Sequence, residues 1–524
     1  MCRRCFCLDK QARRWPEHDT DRQTFDLISL EPHIAVSTIQ YRNDLPIHLT
    51  FYEIQRHVMD TSVTRNDSTT DLYEVDRQSL ERKLDNRHVQ LISIGGAIGT
   101  GLFMGSGKVI ELAGTSIVLV YAIIGFFLFF VMRAMGELLL SDSRVRSFAD
   151  IVGIYLGPRA GYVLSWSYWL SWSVAVIGDV VVVAGYVQYW FPSVPAWLPA
   201  LFTMALLLAL NMMAVRIFGE VEFWLAIVKI VAIVALVTTA LVMIATSFTS
   251  PNGVVASFSH MAAPGTIFPH GITGFFAGFQ IAIFSFAGTE LIGTTAAEAK
   301  DPEKTLPKAI NTIPARILLF YVLSLVCIIS VVSWQYVPST RSPFVELFKL
   351  AGFPAAASII NFVVLTSAAS SANSGVYSGS RMLFGLAAWK NAPVAFGRLS
   401  SNGVPVFSLI FSGMCMLVGL LLLVIIPEVM TVFTLVSTVS AILVIFTWSM
   451  ILAAYISYTR KCPDVHRLSR FRSPGGAAAA VVTLVFLLLV LCLLAIRADT
   501  RAALLVSPLW FIFVWASYRW KRSR

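Results

Sequence analysis

Gly95-Gly96-Ala97-Ile98-Gly99-Thr100-Gly101, with Gly105 and Gly107 close behind, interrupts a stretch from Val89 to Gly107 that holds no Asp, Glu, Lys, Arg or His. An uncharged run of that length reads as a transmembrane helix, because a bilayer core takes about 20 apolar residues in helical form. The glycines argue against a plain helix, since each weakens it by about 1 kcal/mol relative to alanine. A second stretch repeats the pattern: Phe286-Ala287-Gly288-Thr289-Glu290, with Gly293 after it, lies inside the apolar segment 271–297. Unwound backbone is tolerated at membrane depth only where it is buried in protein or lines a cavity. Small residues also serve close helix packing, so the placement of the two interruptions decides between the readings. They fall in spans one and six, the corresponding members of two five-helix halves. Matched interruptions of this kind point to a site built from inverted repeats.

The rest of the chain fits a membrane setting. Of 524 residues, 56% are hydrophobic and 13% charged, about half the roughly 25% charge of a soluble protein. Thr115–Met132, Gly161–Gly178, Phe353–Ser380, Val429–Thr459 and Ser473–Ile496 also lack ionisable residues. A soluble core of this size would show amphipathic stripes of 3.6-residue period instead. The fold class is therefore all-α integral membrane, with twelve transmembrane helices expected near 89–108, 115–139, 161–190, 197–216, 221–246, 271–297, 312–333, 353–381, 405–426, 429–458, 475–496 and 502–519. Phe191, Pro192, Ser193, Val194 and Pro195 divide spans three and four.

Loop charge gives the orientation. Arg144, Arg146, Arg159, Arg216, Lys300, Lys304, Lys308, Arg381, Lys390, Arg398 and the cluster Arg460 to Arg472 share one side with both termini, whereas the long loop Thr246–His270 has no Lys or Arg. The positive-inside rule then puts both termini in the cytoplasm. The net charge of +10 is accounted for by these loops, which sets nucleic-acid binding aside. Cys327, Cys415 and Cys492 lie in apolar helices, and Cys2, Cys5 and Cys7 have no second Cys or His pair at zinc-ligand spacing. No disulfide and no metal are expected. Residues 1–78 are polar and unpatterned, with no apolar signal-peptide core. They read as a disordered cytoplasmic tail, or in part as sequence upstream of a true start at Met59.

Three ionisable residues stand well inside spans: Asp179, Lys229 and Glu290. Each costs about 2.5–3.5 kcal/mol at mid-membrane and needs a partner or a watery cavity. Glu290 sits on the interrupted sixth span, where a carboxylate held from water favours its protonated form and makes a proton the candidate coupling ion. Lys229 reads either as a snorkelling side chain or as a buried amine that alternates between charged and neutral forms. Asp179 follows Trp166, Tyr168, Trp169 and Trp172 on span three, so Trp169 and Asp179 are candidate pocket residues, although Trp and Tyr also anchor helices at interfaces. Span eight carries Thr366, Ser367, Ser370, Ser371, Asn373, Ser374, Ser378 and Ser380, mostly explicable by packing and bonds back to their own helix.

Arg87 to Phe103, Met132 to Leu138, Phe218 to Trp224 and Gly293 to Lys304 together resemble the bacterial amino acid permeases of the amino acid–polyamine–organocation superfamily. The resemblance covers roughly residues 80–520. It implies a LeuT-like 5+5 inverted repeat with broken helices 1 and 6 plus two peripheral helices: 79–246 as the first repeat, 247–460 as the second, and 461–524 as helices 11 and 12 with the cytoplasmic tail. Gly271–Ile283, Ser342–Phe348, Ala355–Gly375 and Arg501–Pro508 look most like family members that take small amino acids. The activity implied is proton-coupled import of D-serine, D-alanine and glycine across the inner membrane of a bacterial cell, with D-cycloserine as a mimic. Carried over, Gly95, Gly96, Ala97, Ile98, Gly99, Thr100 and Gly101 offer N–H groups to the substrate carboxylate, in line with the affinity of half-helix N-termini for anions. Carbonyls near Phe284, Ser285 and Phe286 accept the ammonium. Lys229 takes the place of a sodium ion, and Glu290 aligns with the glutamate of proton-coupled members. Thr115, Ser285 and Ala287 depart from the Pro, Ala and Val usual there.

The expected mechanism is alternating access by rocking of one helix bundle against another. Two other readings stay open: a permease of the same family for another neutral or aromatic amino acid, and an amino acid sensor that binds without flux. An enzyme is not expected, since the scattered charges form no nucleophile–base or metal constellation. Neither an organic cofactor nor an obligate protein partner is inferred; the implied partners are small amino acids and the bilayer.

Overall fold

The computed structural model describes residues 98–142, 147–213, 215–251, 253–295, 301–401 and 403–522. The chain divides into Met1–Ser79 and Leu80–Arg524, and every described residue belongs to the second unit. The expected tail at 1–78 and the site positions Gly95, Gly96 and Ala97 lie outside the described residues.

The described residues are helical almost throughout. In chain order the main helices are α1 (Ser106–Ala113), α2 (Ile117–Ser141), α3 (Phe148–Leu156), α4 (Pro158–Gln188), α5 (Trp197–Asn211), α6 (Val215–Ala245), α7 (Gly271–Phe284), α8 (Leu291–Thr295) and α9 (Pro302–Asn311). They continue as α10 (Leu323–Val331), α11 (Pro343–Leu350), α12 (Pro354–Ala388), α13 (Val406–Ile425), α14 (Val429–Lys461), α15 (Pro463–Leu468), α16 (Gly476–Leu493) and α17 (Ala498–Arg522). Among the described residues, nine helical stretches are long and apolar enough to cross a membrane, and two shorter apolar helices, Trp197–Asn211 and Gly271–Phe284, lie between them. This is a multi-pass membrane protein. The fourth expected span is shorter than its hydropathy suggests, ending at Asn211, whose amide donates to the Leu207 carbonyl at 3.0 Å and to Asn373 Oδ1 at 2.7 Å.

Local chemistry sets several ends. Ser147 and Asp150 form a reciprocal capping box at the start of α3, with N–H donations of 3.3 Å to the Ser147 hydroxyl and 3.0 Å to the Asp150 carboxylate. That satisfies donors a helix start would otherwise leave bare. Pro158 then opens α4 at a position where its missing N–H costs nothing.

Helix α4 is the centre of the molecule, packing against α12, α14, α3, α5 and α13. Its most apolar stretch is 78% buried inside the protein, against 22% for those of the last two helices. The difference tells core from rim: Val482, Val485, Leu488, Leu505, Leu509 and Phe513 point outward from α16 and α17. Such a continuous apolar surface suits lipid contact.

Candidate functional site

Span six breaks where the sequence places the break. Helix α7 ends at Phe284, residues 285–290 form turns, and α8 begins at Leu291. Gly288 makes the reversal with φ of +96°, a left-handed value that costs glycine nothing and other residues about 1–2 kcal/mol. Glu290 closes the turn on itself, both its oxygens accepting from the Gly288 N–H at 3.2 Å. Trp448 Nε1 of α14 donates to the same carboxylate at 3.4 Å, and Glu290 is buried.

In span one, Ile98 and Gly99 are bends, helix begins at Thr100, and Gly101–Gly105 winds as π-helix before α1. The two interrupted spans meet here. A Cβ added to Gly101 would lie 2.8 Å from Ser285 N and 2.9 Å from Ser285 Oγ. Only glycine permits that approach. Ser285 is held in turn by two tyrosines: Tyr121 of α2 shares a hydroxyl–hydroxyl bond with its Oγ at 2.8 Å, and Tyr321 donates to its carbonyl at 3.0 Å. The Tyr321 ring stacks on Phe286 with centroids 4.8 Å apart and planes 9° from parallel.

The carbonyls proposed for an ammonium are engaged inside the turn. Phe284 O accepts from Ala287 N at 3.0 Å, and Phe286 O from the Thr289 hydroxyl at 2.9 Å. The hollow beside the break, lined by Phe286, Thr289, Ile292, Arg316, Ile317 and Tyr321, offers about 20 Å³ to the centre of a water-sized sphere. That is room for a water molecule or so, not for an amino acid. Where the sequence led us to expect a cavity between spans one and six, the described residues are packed together, because Gly101 lets the two backbones touch.

Two of the three intramembrane charges, Asp179 and Lys229, come together beside Thr100. Thr100 donates to Asp179 Oδ1 of α4 at 2.5 Å, and the Ser371 hydroxyl of α12 bonds the same carboxylate. Ser367, one turn earlier on α12, donates to the Ile98 carbonyl at 3.2 Å. Lys229 of α6 is 0% exposed, which a lysine reaching for the membrane surface would not be. Its charge acts on Asp179 and on Glu222. Glu222, two turns before Lys229 and also 0% exposed, accepts from Ser370 at 2.7 Å and from Asn373 Nδ2 at 2.8 Å.

Asp179, Lys229 and Thr100 thus come together, while Glu290 faces Trp448 in a different setting. Trp169 points toward α13, donating to Ser412 Oγ at 3.1 Å and stacking on Phe411 at 5.3 Å. Sequence reasoning missed Glu222 because it lies within a turn of the expected start of span five, where a carboxylate is ordinarily hydrated. Glu137, missed near the expected end of span two for the same reason, is also 0% exposed. It accepts from Tyr455 at 2.9 Å and from Ser473 N at 2.7 Å, and pairs with His466 Nδ1 at 2.6 Å. The available signal was a carboxylate at the edge of an apolar span.

Comparison with known proteins agrees with this architecture. The family model described as amino acid permease matches residues 88–524. The D-serine/D-alanine/glycine transporter of Escherichia coli is 58% identical over 435 residues, 83% of this chain and 93% of that protein. The amino-acid permease AapA of Bacillus subtilis is 45% identical over 448 residues, 86% of this chain and 96% of its own. A probable threonine/serine transporter of the same bacterium, YbxG, is 39% identical over 441 residues, 84% of this chain and 95% of its own.

Proposed function

The chain belongs to the amino acid permease family, and from that premise we propose that it is a proton-coupled symporter importing D-serine, D-alanine and glycine. It transports amino acids; the substrate set and the coupling ion are the proposal. The observation that carries it is the 58% identity to the D-serine/D-alanine/glycine transporter along 93% of that protein. D-cycloserine, a rigid mimic of the same zwitterion, is expected to share the route. The setting is a bacterial inner membrane with both termini cytoplasmic, as the loop charges argue. The architecture is twelve spans in two inverted five-helix repeats with two peripheral helices, which suits the low burial of α16 and α17.

In this reading the N–H groups between Gly95 and Gly101 hold the substrate carboxylate, and carbonyls of residues 284–286 receive the ammonium. The turn at 285–290 must then exchange some of its internal bonds for bonds to substrate. Gly101 packed on Ser285 is the closed arrangement, and binding follows when one helix group rocks away from the other. Backbone groups read what every amino acid has in common. Discrimination then comes from bulk, with the Tyr121, Tyr321 and Phe286 rings leaving little room beside Ser285. A small enough pocket that grips only the zwitterion accepts either hand at the α-carbon. Lys229 and Glu290 are the residues proposed to exchange the coupled proton. No catalytic role and no obligate protein partner are proposed.

Counterflow tests the reading. Proteoliposomes preloaded with unlabelled glycine should take up labelled glycine, and external D-alanine and D-serine should compete while phenylalanine does not. Competition by phenylalanine would favour a permease for larger substrates. Binding of glycine without any flux would favour a sensor.

A further inference from the structure

Two buried carboxylates, both bonded to neighbouring residues of α12, act on one buried ammonium. Asp179 is 2% exposed, while Glu222 and Lys229 are 0% exposed, and the lysine charge acts on both acids. Fully ionised, the set carries one surplus negative charge, and a net charge away from water is strongly disfavoured. One bound proton removes it. Among the described residues, the groups bonded to the two acids are neutral: Ser370 and Asn373 solvate Glu222, and Thr100 and Ser371 solvate Asp179. Among the described residues, Tyr186, two turns along α4, is a further titratable group acting with Asp179.

The placement of the two acids differs. Glu222 is tied to α12 and, through Asn373, to Asn211 of α5, which are long packed helices. Asp179 is tied to Thr100, where helix begins after the bends at Ile98 and Gly99. With the termini cytoplasmic, Asp179 lies toward the outer end of α4 and Glu222 near the inner end of α6, so the set runs across the membrane beside the first break.

We infer that Asp179, Lys229 and Glu222 act as one charge-sharing set that holds a single proton, and that Asp179, through Thr100, is the positioning residue linking that proton to the broken first span. The inference rests on the transport reading above and deepens it. Protonation of the set loosens the claim of Asp179 on Lys229 or that of Glu222, and the Thr100 bond passes the change to the substrate-binding backbone.

Asp179→Asn and Glu222→Gln keep size and hydrogen-bonding capacity but leave one acid against one ammonium, neutral without a proton. In proteoliposomes each is expected to cut glycine accumulation under an inward proton gradient by about tenfold or more, an ordinary coupling magnitude. Gradient-free counterflow should fall far less, and the dependence of uptake on external pH should flatten. Thr100→Val, which keeps all three charges and removes the link, is expected to raise the glycine KM while accumulation per transport cycle persists. The assignment is overturned if the two acid variants keep the pH profile of the unaltered protein, if accumulation and counterflow fall together by the same factor, or if Thr100→Val leaves KM unchanged. Unaltered protein without counterflow would sink the transport reading itself; normal flux with unaffected variants would sink this assignment alone.

Discussion

Ser285 shows how much one small side chain can be asked to do. It touches the Gly101 backbone, receives Tyr121 and Tyr321, and starts the turn that ends α7. Gly101→Ala would press a methyl group into Ser285 atoms that belong partly to the backbone, and overpacking of this kind costs about 1–3 kcal/mol. The expected result is a fall in initial glycine uptake of about tenfold, the factor that 1.4 kcal/mol represents. Uptake equal to the unaltered protein would show that the close approach is dispensable. Glu222 invites a stability test. Glu222→Ala would leave Ser370 and Asn373 without their acceptor and Lys229 without one of its two acids. Leaving buried donors without their acceptor costs roughly 1–3 kcal/mol. The detergent-solubilised variant should therefore unfold at a clearly lower temperature, and an unchanged midpoint would show that Glu222 carries no such burden.

At the level of elements, the break in span six was legible because Gly288 has to be glycine at a φ of +96° and Glu290 follows at the distance that lets it bond its own turn. The long uncharged helices were legible for an equally plain reason, since lipid demands apolar length. What the sequence hid was pairing across helices. Nothing local says that Thr100 bonds Asp179 or that Glu222 meets span eight, because those partners lie 79 and 148 residues apart. Trp169 was equally opaque, an indole that serves a pocket and one that packs on a neighbouring helix having the same local sequence. The clasp at the C-terminal end of α2 is another cross-element feature. Glu137 gathers Tyr455 of α14, His466 of α15 and the Ser473 N–H, while Arg133 lies 3.8 Å over the Phe471 ring and donates to Asn311 at 2.8 Å. Glu137→Ala should release the linker between α14 and α16. Hydrogen exchange should then speed at least about tenfold at Leu468–Ser473, as expected when local opening becomes easier by 1.4 kcal/mol, with α16 unaffected. Unchanged exchange in the linker would mean that the clasp is not what holds it.

For the whole molecule, burial among the described residues is graded from α4 at the centre to α16 and α17 at the rim. Buried acids fall in separate groups, Asp179 and Glu222 bonded to α12, Glu290 beside Trp448, and Glu137 beside Tyr455. Buried acids, an amine, hydroxyls and amides in a bilayer are expensive unless they pair with one another, and Asp179, Glu222 and Glu137 each have such partners. The most direct test is initial glycine uptake into proteoliposomes with acid outside and no sodium on either side, repeated with a sodium gradient and no pH difference. Accumulation driven by the proton gradient alone is the expected result. Accumulation that requires sodium and ignores external pH would contradict it.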